Sequence, residues 1–173
     1  MRRVLWLLFV ALMFAEPNVR AGDIEISWKR KTLDATTGKL AAGEVAKSTE
    51  DCVYTLTLTN KSFKDAPAME IRYIIFVERQ RAGEKIGNEH VERITGTKQV
   101  EGIKSHQKFA VDTDKFTLNQ QQLSAGWYFA NGGKRGARDS VKGVWVRVYQ
   151  GDEVIAEYVN PSSIKLREKW EGS

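Results

Sequence analysis

The chain has 173 residues, of which 42% are hydrophobic and 28% charged, with a formal net charge of +5 at pH 7 and one cysteine. That length suits a single domain able to bury a sizeable core, and a lone Cys52 excludes an internal disulfide framework. Charges of both signs alternate along the chain, as in Glu70, Arg72, Glu78, Arg79 and Arg81, which speaks against the concentrated basic face that nucleic acid requires and for a solvated surface.

Residues 1–21 read as a cleaved signal peptide. Arg2 and Arg3 precede an apolar run from Val4 to Ala15, and Val19, Arg20 and Ala21 supply a small-x-small cleavage pattern. The run falls well short of the roughly 20 residues a spanning helix needs, and Glu16 and Pro17 interrupt it. The arginine pair lacks the longer twin-arginine pattern, and no cysteine stands at the cleavage site to take a lipid. The expectation is a secreted or periplasmic protein with no membrane insertion after cleavage, its remaining residues 22–173 forming one domain. Cleavage removes three positive charges and one negative, lowering the net charge from +5 to +3. An oxidising compartment permits disulfides, but Cys52 has no partner within the chain, so packing must supply the stability.

The exported part opens with alternation over residues 23–33, where Ile24, Ile26 and Trp28 face one way and Glu25, Ser27 and Lys29 the other; this predicts a half-buried strand. Residues 34–51, rich in Ala, Thr, Gly and Lys, predict a long loop with room for a short edge strand at 39–46. The clearest strand follows over 52–60. Cys52, Tyr54, Leu56 and Leu58 alternate with Val53, Thr55, Thr57 and Thr59, which gives one face to a core and one to water. Cys52 falls on the apolar side and is read as a buried, inert thiol.

After the breakers Asp65 and Pro67, a strand over 69–80 puts Met69, Ile71, Tyr73, Ile75 and Val77 on one face and Ile74 and Phe76 on the other. Apolar groups on both faces predict a central strand with some cover on its second side. Weaker strands are expected at 91–100 and 108–113. The three glutamines Gln120, Gln121 and Gln122 suggest one helical turn. The C-terminal hairpin sets Val144, Val146 and Val148 against Trp145, Arg147 and Tyr149, turns at Gly151 and Asp152, and returns over 153–159. A plain two-residue loop pairs Val148 with Ile155, Tyr149 with Val154 and Trp145 with Tyr158. The segment 164–170 reads as a short tail, helical in part, with Trp170 able to pack back.

About seven strands separated by turn signals, with no long helical period, predict an all-β antiparallel β-sandwich. The run from Tyr54 to Asn60 and the run from Ile71 to Phe76 resemble the adjacent B and C strands of bacterial extracellular immunoglobulin-like and fibronectin type III-like modules. The stretch 100–111, entering a strand through Phe109, is similar to their approach to strand E. The likeness implies a two-sheet module, without the interstrand disulfide and strand C tryptophan of antibody domains. The segments 126–133 and 143–149 are similar to small exported bacterial proteins, a likeness that implies no activity.

Chemistry-bearing motifs are sparse. His90 and His106 are the only histidines and sit in separate connections, a poor match to zinc spacings. Ser105 or Ser124 lacks a nucleophile elbow. Asp112 and Asp114, with Asn119, offer a partial calcium shell against the plainer reading of two solvated acids. Asn131 to Gly136 resembles a phosphate loop in composition, but its lysine follows the glycines in the wrong frame. Asn60, Lys61 and Ser62 form a glycosylation acceptor at a turn, relevant only in a eukaryotic host.

Two aromatic groups remain. Trp127, Tyr128 and Phe129 precede the glycine-rich segment, with Arg135 following it, an arrangement suited to stacking on a sugar or anchoring a protein; the plainer reading has the aromatics plugging one end of the sandwich. Trp145, Arg147 and Tyr149 form a row that is exposed if the valines face the core, or a second small core if the tail covers it. The sequence leaves that choice open. The function expected is non-catalytic: binding of a protein or cell-envelope component through Trp127, Tyr128, Arg135, Trp145 and Arg147, with no cofactor and no metal. The alternatives are a carbohydrate-binding module using the same aromatics and a small hydrolase centred on His106.

Overall fold

Period-two alternation of apolar side chains accounts for most of the architecture. The structure, a computed structural model, describes residues 23–39, 42–85, 87 and 90–170; the signal-peptide reading of residues 1–21 falls outside them. The strands are β1 (Ile24–Thr36), β2 (Val45–Asn60), β3 (Met69–Arg79), β4 (His90–Val100), β5 (Lys108–Asp112), β6 (Phe116–Leu123), β7 (Gly136–Arg138), β8 (Ser140–Gln150) and β9 (Glu153–Asn160), followed by the short helix α1 (Ile164–Arg167). They form two antiparallel sheets. One has the order β1-β2-β6-β7, with β5 also on β2; the other runs β4-β3-β8-β9.

Strand β2 organises the first sheet. Its residues Thr55 to Thr59 pair with β5 and its residues Val45 to Cys52 pair with β6, so two successive strands share one flank. Thr113 bridges the break between them: its hydroxyl accepts from the Tyr54 amide at 2.9 Å and its own amide donates to the Tyr54 carbonyl at 2.8 Å. One residue, Asp139, separates β7 in the first sheet from β8 in the second.

The inner faces meet in a core built from Leu56 and Leu58 of β2, Ile71, Tyr73, Ile75 and Val77 of β3, and Val144, Val146 and Val148 of β8. Each fully buried aliphatic side chain contributes roughly 1.5–3 kcal/mol relative to exposure, so the nine large ones, among them Leu56, Ile75 and Val146, outweigh what a disulfide would add. Cys52 lies in this core as a free thiol. Burial pushes its pKa up, opposed by the Arg30 guanidinium, which donates to Sγ at 3.2 Å.

The fold class is an all-β sandwich, with nine strands among the described residues in place of about seven. The segment 120–122 is strand, correcting the expected helical turn: Ser48, Lys47 and Ala46 of β2 offer Gln120, Gln121 and Gln122 a complete ladder, and three polar residues carry no period of their own to announce it. The loop between the first two strands is shorter than residues 34–51, because β1 and β2 stay paired as far as Thr36 and Thr49 across a bulge after Thr32.

The β8–β9 register also differs from a plain hairpin. Tyr149 does pair with Val154, but Val148 pairs with Ala156 and Trp145 with Val159, with an irregularity between Val148 and Tyr149. The extra residue is Ile155. A bulge lets it join the main core beside Ala156, burying one more apolar side chain than strict alternation allows.

A second core covers the outer face of β3 and β8. Ile74, Phe76 and Trp145 pack there against Ile164 of α1, with Val159 and Trp170 at the margin. Gly143 makes this crossing fit, since a Cβ there would collide with Ile164 Cδ1 and the Asn160 carbonyl oxygen.

Candidate functional site

The glycine-rich connection between β6 and β7 is tied to both neighbouring turns. The Ser124 amide donates to the Glu44 carbonyl at 3.2 Å, and the Gly43 amide donates to Ser124 Oγ at 2.9 Å. On the other side, the Gly83 amide donates to the Lys134 carbonyl at 2.9 Å and the Lys134 amide to the Glu84 carbonyl at 3.0 Å. Asn131 Nδ2 donates to the Gly83 carbonyl at 2.9 Å, while its Oδ1 accepts from the Gly133 amide at 3.0 Å.

The three aromatics of this connection part ways. The Trp127 indole rests on Gly43, whose missing Cβ would stand 3.5 Å from the ring, and Phe129 rests on Gly83 at 3.3 Å by the same measure. Phe129 is half-buried, whereas Trp127 is 54% and Tyr128 82% exposed. Arg135 returns to the base of the loop, where Nη2 donates to the Ser124 carbonyl at 3.2 Å. The loop therefore brings Trp127, Tyr128 and Arg135 to one end of the molecule, with the aromatic pair open to solvent.

The hairpin row takes the other of its two arrangements at Trp145, which belongs to the second core. Trp145 is 5% exposed and meets Trp170 edge-on at a centroid distance of 5.4 Å. The Arg147 guanidinium lies 5.1 Å from the Trp145 ring and 4.6 Å from that of Trp170. Glu157 ties the group together, accepting from Trp145 Nε1 at 2.9 Å, from Arg147 Nε at 2.8 Å and from Lys165 Nζ. Burial alone would raise the Glu157 pKa, but the bonds from Lys165, Arg147 and Trp145 prevail and bring it to about 2. Trp145 and Arg147 thus spend their faces within the protein.

The remaining sequence candidates are dispersed. His106 lies in a turn at φ 57° with its ring edge-on to Phe63 at 4.8 Å, and His90 begins β4 at a distant place in the sheet. Asp112 accepts from Thr55 Oγ1 at 2.6 Å, whereas Asp114 accepts from Lys98 Nζ at 2.5 Å and from the Tyr73 hydroxyl at 3.0 Å. The Lys98 bond, then that of Tyr73, lowers the Asp114 pKa, and burial pushes Tyr73 up to about 12. Among the described residues no group of three or more His, Cys, Asp or Glu is placed to hold a metal ion.

Asn60, the acceptor of the glycosylation pattern, is wholly buried. Its Nδ2 donates to the carbonyls of Lys64 and Ile103, and its Oδ1 accepts from Ser62. The side chain serves the turn and is out of reach of a glycosylating enzyme in the folded protein.

One buried polar centre had no signal in the sequence. Asp139, 3% exposed at the junction of the sheets, accepts from Arg79 Nη1 at 2.7 Å, from the Gln80 amide at 3.1 Å, and from Asn119 through both its amide and Nδ2 at 2.9 Å. Arg79 also donates to the Thr117 carbonyl at 2.7 Å and to Glu92. Burial raises the Asp139 pKa, but its four donors outweigh this and hold it below the usual carboxylate range. Only the pairing of β6 with β7 brings Asn119 to this carboxylate, so no local motif marks it.

No protein-family description matches the chain, and no curated protein is significantly similar to it. Solved structures match the chain only at low similarity. A Bordetella pertussis protein provisionally named ApaA shares 12% identity over 82% of this chain and 95% of its own, with a TM-score of 0.38. A protein of Akkermansia muciniphila shares 12% identity over 88% of this chain and 78% of its own, with a TM-score of 0.31. Bacteroides uniformis β-glucuronidase 2 shares 9% identity over 72% of this chain at a TM-score of 0.31, and the chain spans 12% of that enzyme's length.

Proposed function

We propose that the chain is an exported, non-catalytic module of the immunoglobulin-like kind that binds a protein of the cell envelope or its surroundings through the end of the sandwich carrying Trp127, Tyr128 and Arg135. The observation that carries the reading is the pair of adjacent large aromatics, 54% and 82% exposed, on a loop anchored by backbone hydrogen bonds on both sides. Aromatic anchors on a pre-ordered backbone lose little entropy on docking and gain much from burial. Much of the strand order supports the immunoglobulin-like assignment: β1-β2-β5 and β4-β3-β8-β9 follow the A-B-E and C′-C-F-G order of such sandwiches, while β6 and β7 extend the first sheet beyond that pattern. The pattern in residues 1–21 supports export to a periplasmic or secreted location. Trp145 and Arg147 leave the proposed contact set because the tail covers them.

The test measures binding of the immobilised protein to isolated bacterial envelope fractions, with Trp127→Ala and Tyr128→Ala as controls. Loss of binding in both variants with the fold retained supports the loop as the site, and equal capture by wild type and variants overturns it. Binding that survives protease treatment of the fraction transfers the site to a glycan, for which the indole laid flat on Gly43 would be the platform.

A further inference from the structure

A cleft of about 500 Å³ opens between the two sheets, away from the aromatic loop. Trp28, Tyr54 and Leu118 of the first sheet line one side, residues 140–144 and the Asn160–Pro161 segment the other, and Arg30 and Arg138 are the lining arginines, while the Lys142 ammonium turns to Glu78 outside the lining. We infer that this cleft is a binding site for a small organic acid, a flat apolar body bearing a carboxylate.

The floor is aromatic and ordered. Trp28 stacks on Tyr54 with centroids 3.9 Å apart and planes 24° apart, and Tyr54 stacks in turn near Phe116 at 5.7 Å. A volume of this order suits a small-molecule site, which ordinarily spans roughly 300–1,000 Å³. Tyr54 is 6% exposed, yet its hydroxyl has no hydrogen-bond partner among the described residues. No buried side-chain oxygen or nitrogen among them lacks a partner, so that hydroxyl meets solvent, and it does so through the cleft that Tyr54 lines. A polar atom on an otherwise buried ring, left unpaired by the protein, is a donor held ready for an oxygen.

The charges divide the same way. Arg30 is engaged by Glu50 at 2.6 Å and by Cys52, and Lys142 by Glu78 at 2.9 Å. The one carboxylate of the lining, Asp139, faces Arg79, Gln80 and Asn119. Arg138 forms no ion pair and no side-chain hydrogen bond with any described residue, and it is the cleft's uncompensated charge. A guanidinium suits a carboxylate in bidentate geometry, and the stacked floor suits a flat apolar body. Inorganic phosphate would leave the floor uncovered, and a neutral sugar would leave the guanidinium unanswered.

The experiment is a titration of the protein with 2-naphthoate, followed by two-dimensional amide and indole NMR, with neutral 2-naphthylmethanol as the uncharged counterpart. Expected are saturable shifts at the Trp28 indole N–H and the amides of residues 140–143, with the alcohol binding about tenfold more weakly. Arg138→Gln should abolish the preference for the acid, and Tyr54→Phe should weaken the acid about threefold, both with dispersed spectra that show the fold intact. Equal affinity for acid and alcohol, equal affinity of wild type and Arg138→Gln, shifts confined to the loop of Trp127 and Tyr128, or no saturable shift up to about 10 mM probe would each overturn the assignment.

Discussion

Replacing Asp139 by alanine tests whether the junction between the sheets depends on one carboxylate. The substitution strands four donors: Arg79 Nη1, the Gln80 amide, and the amide and Nδ2 of Asn119. Two of these have other outlets. Asn119 is exposed, so its side chain turns to water, and Arg79 keeps Glu92 and the Thr117 carbonyl. The backbone amides of Gln80 and Asn119 cannot turn away. Two unsatisfied amides at about 1–3 kcal/mol each and a lost charge-assisted bond at about 1.5–3 kcal/mol, less the relief from water entering the vacated space, amount to about 4 kcal/mol. Against a total stability of about 5–15 kcal/mol that loss is large enough to move the urea midpoint far down. The assay is urea unfolding at pH 7 followed by tryptophan fluorescence, on wild type, Asp139→Ala, Arg79→Met and the double variant. The alanine should cost at least about 1 kcal/mol less in the Arg79→Met background, because the residues share one network. A loss below about 1 kcal/mol in the single variant, or strictly additive losses in the cycle, refutes the reasoning. Acid supplies an independent check. Asp139 is held below its ordinary pKa of 3.8 in the folded state, so its contribution is present above that value and drains as pH falls beneath it. Asp139→Asn should flatten that part of the acid limb.

Glu157 makes a second acid-sensitive clasp: with its pKa lowered from 4.5 to about 2, its stabilisation is complete above pH 4.5 and lost as pH falls toward 2. Near-ultraviolet circular dichroism of the Trp145–Trp170 pair should change over that window in wild type, and Glu157→Gln should show the change already at neutral pH. Gly143→Ala should cost about 1–3 kcal/mol by overpacking, read as a lower urea midpoint; an unchanged midpoint would mean that the tail does not cross β8 as closely as Ile164 and Asn160 indicate.

Strands with one dry face were readable because burial imposes a period on them. Cys52 to Leu58 and Met69 to Val77 alternate, and both lie in the core on the expected side. The apolar second face of β3, Ile74 and Phe76, likewise announced that something would cover it, and Ile164 and Trp170 do. The alternation failed where pairing alone decides. Gln120 to Gln122 are strand because β2 continues beside them, and Ile155 is bulged because the core has room for it. The aromatic loop was visible because three consecutive aromatics beside glycines cannot all turn inward. The cleft was not, since Trp28 and Tyr54 each read as an ordinary core-facing strand residue and Arg138 stands far from both in sequence. Only the pairing of β1 with β2 and of β6 with β7 brings them around one space.

The single-residue passage from β7 to β8 has a mechanical meaning. Consecutive Cα atoms stand about 3.8 Å apart, so a crossover of one residue carries almost no slack, and the two sheets cannot slide or hinge at that corner without tearing Asp139 from its donors. Arg138 and Ser140, on either side of it, belong to the walls of the cleft. The part of the cleft wall formed at that corner is therefore set by covalent geometry and by the hydrogen bonds of Asp139.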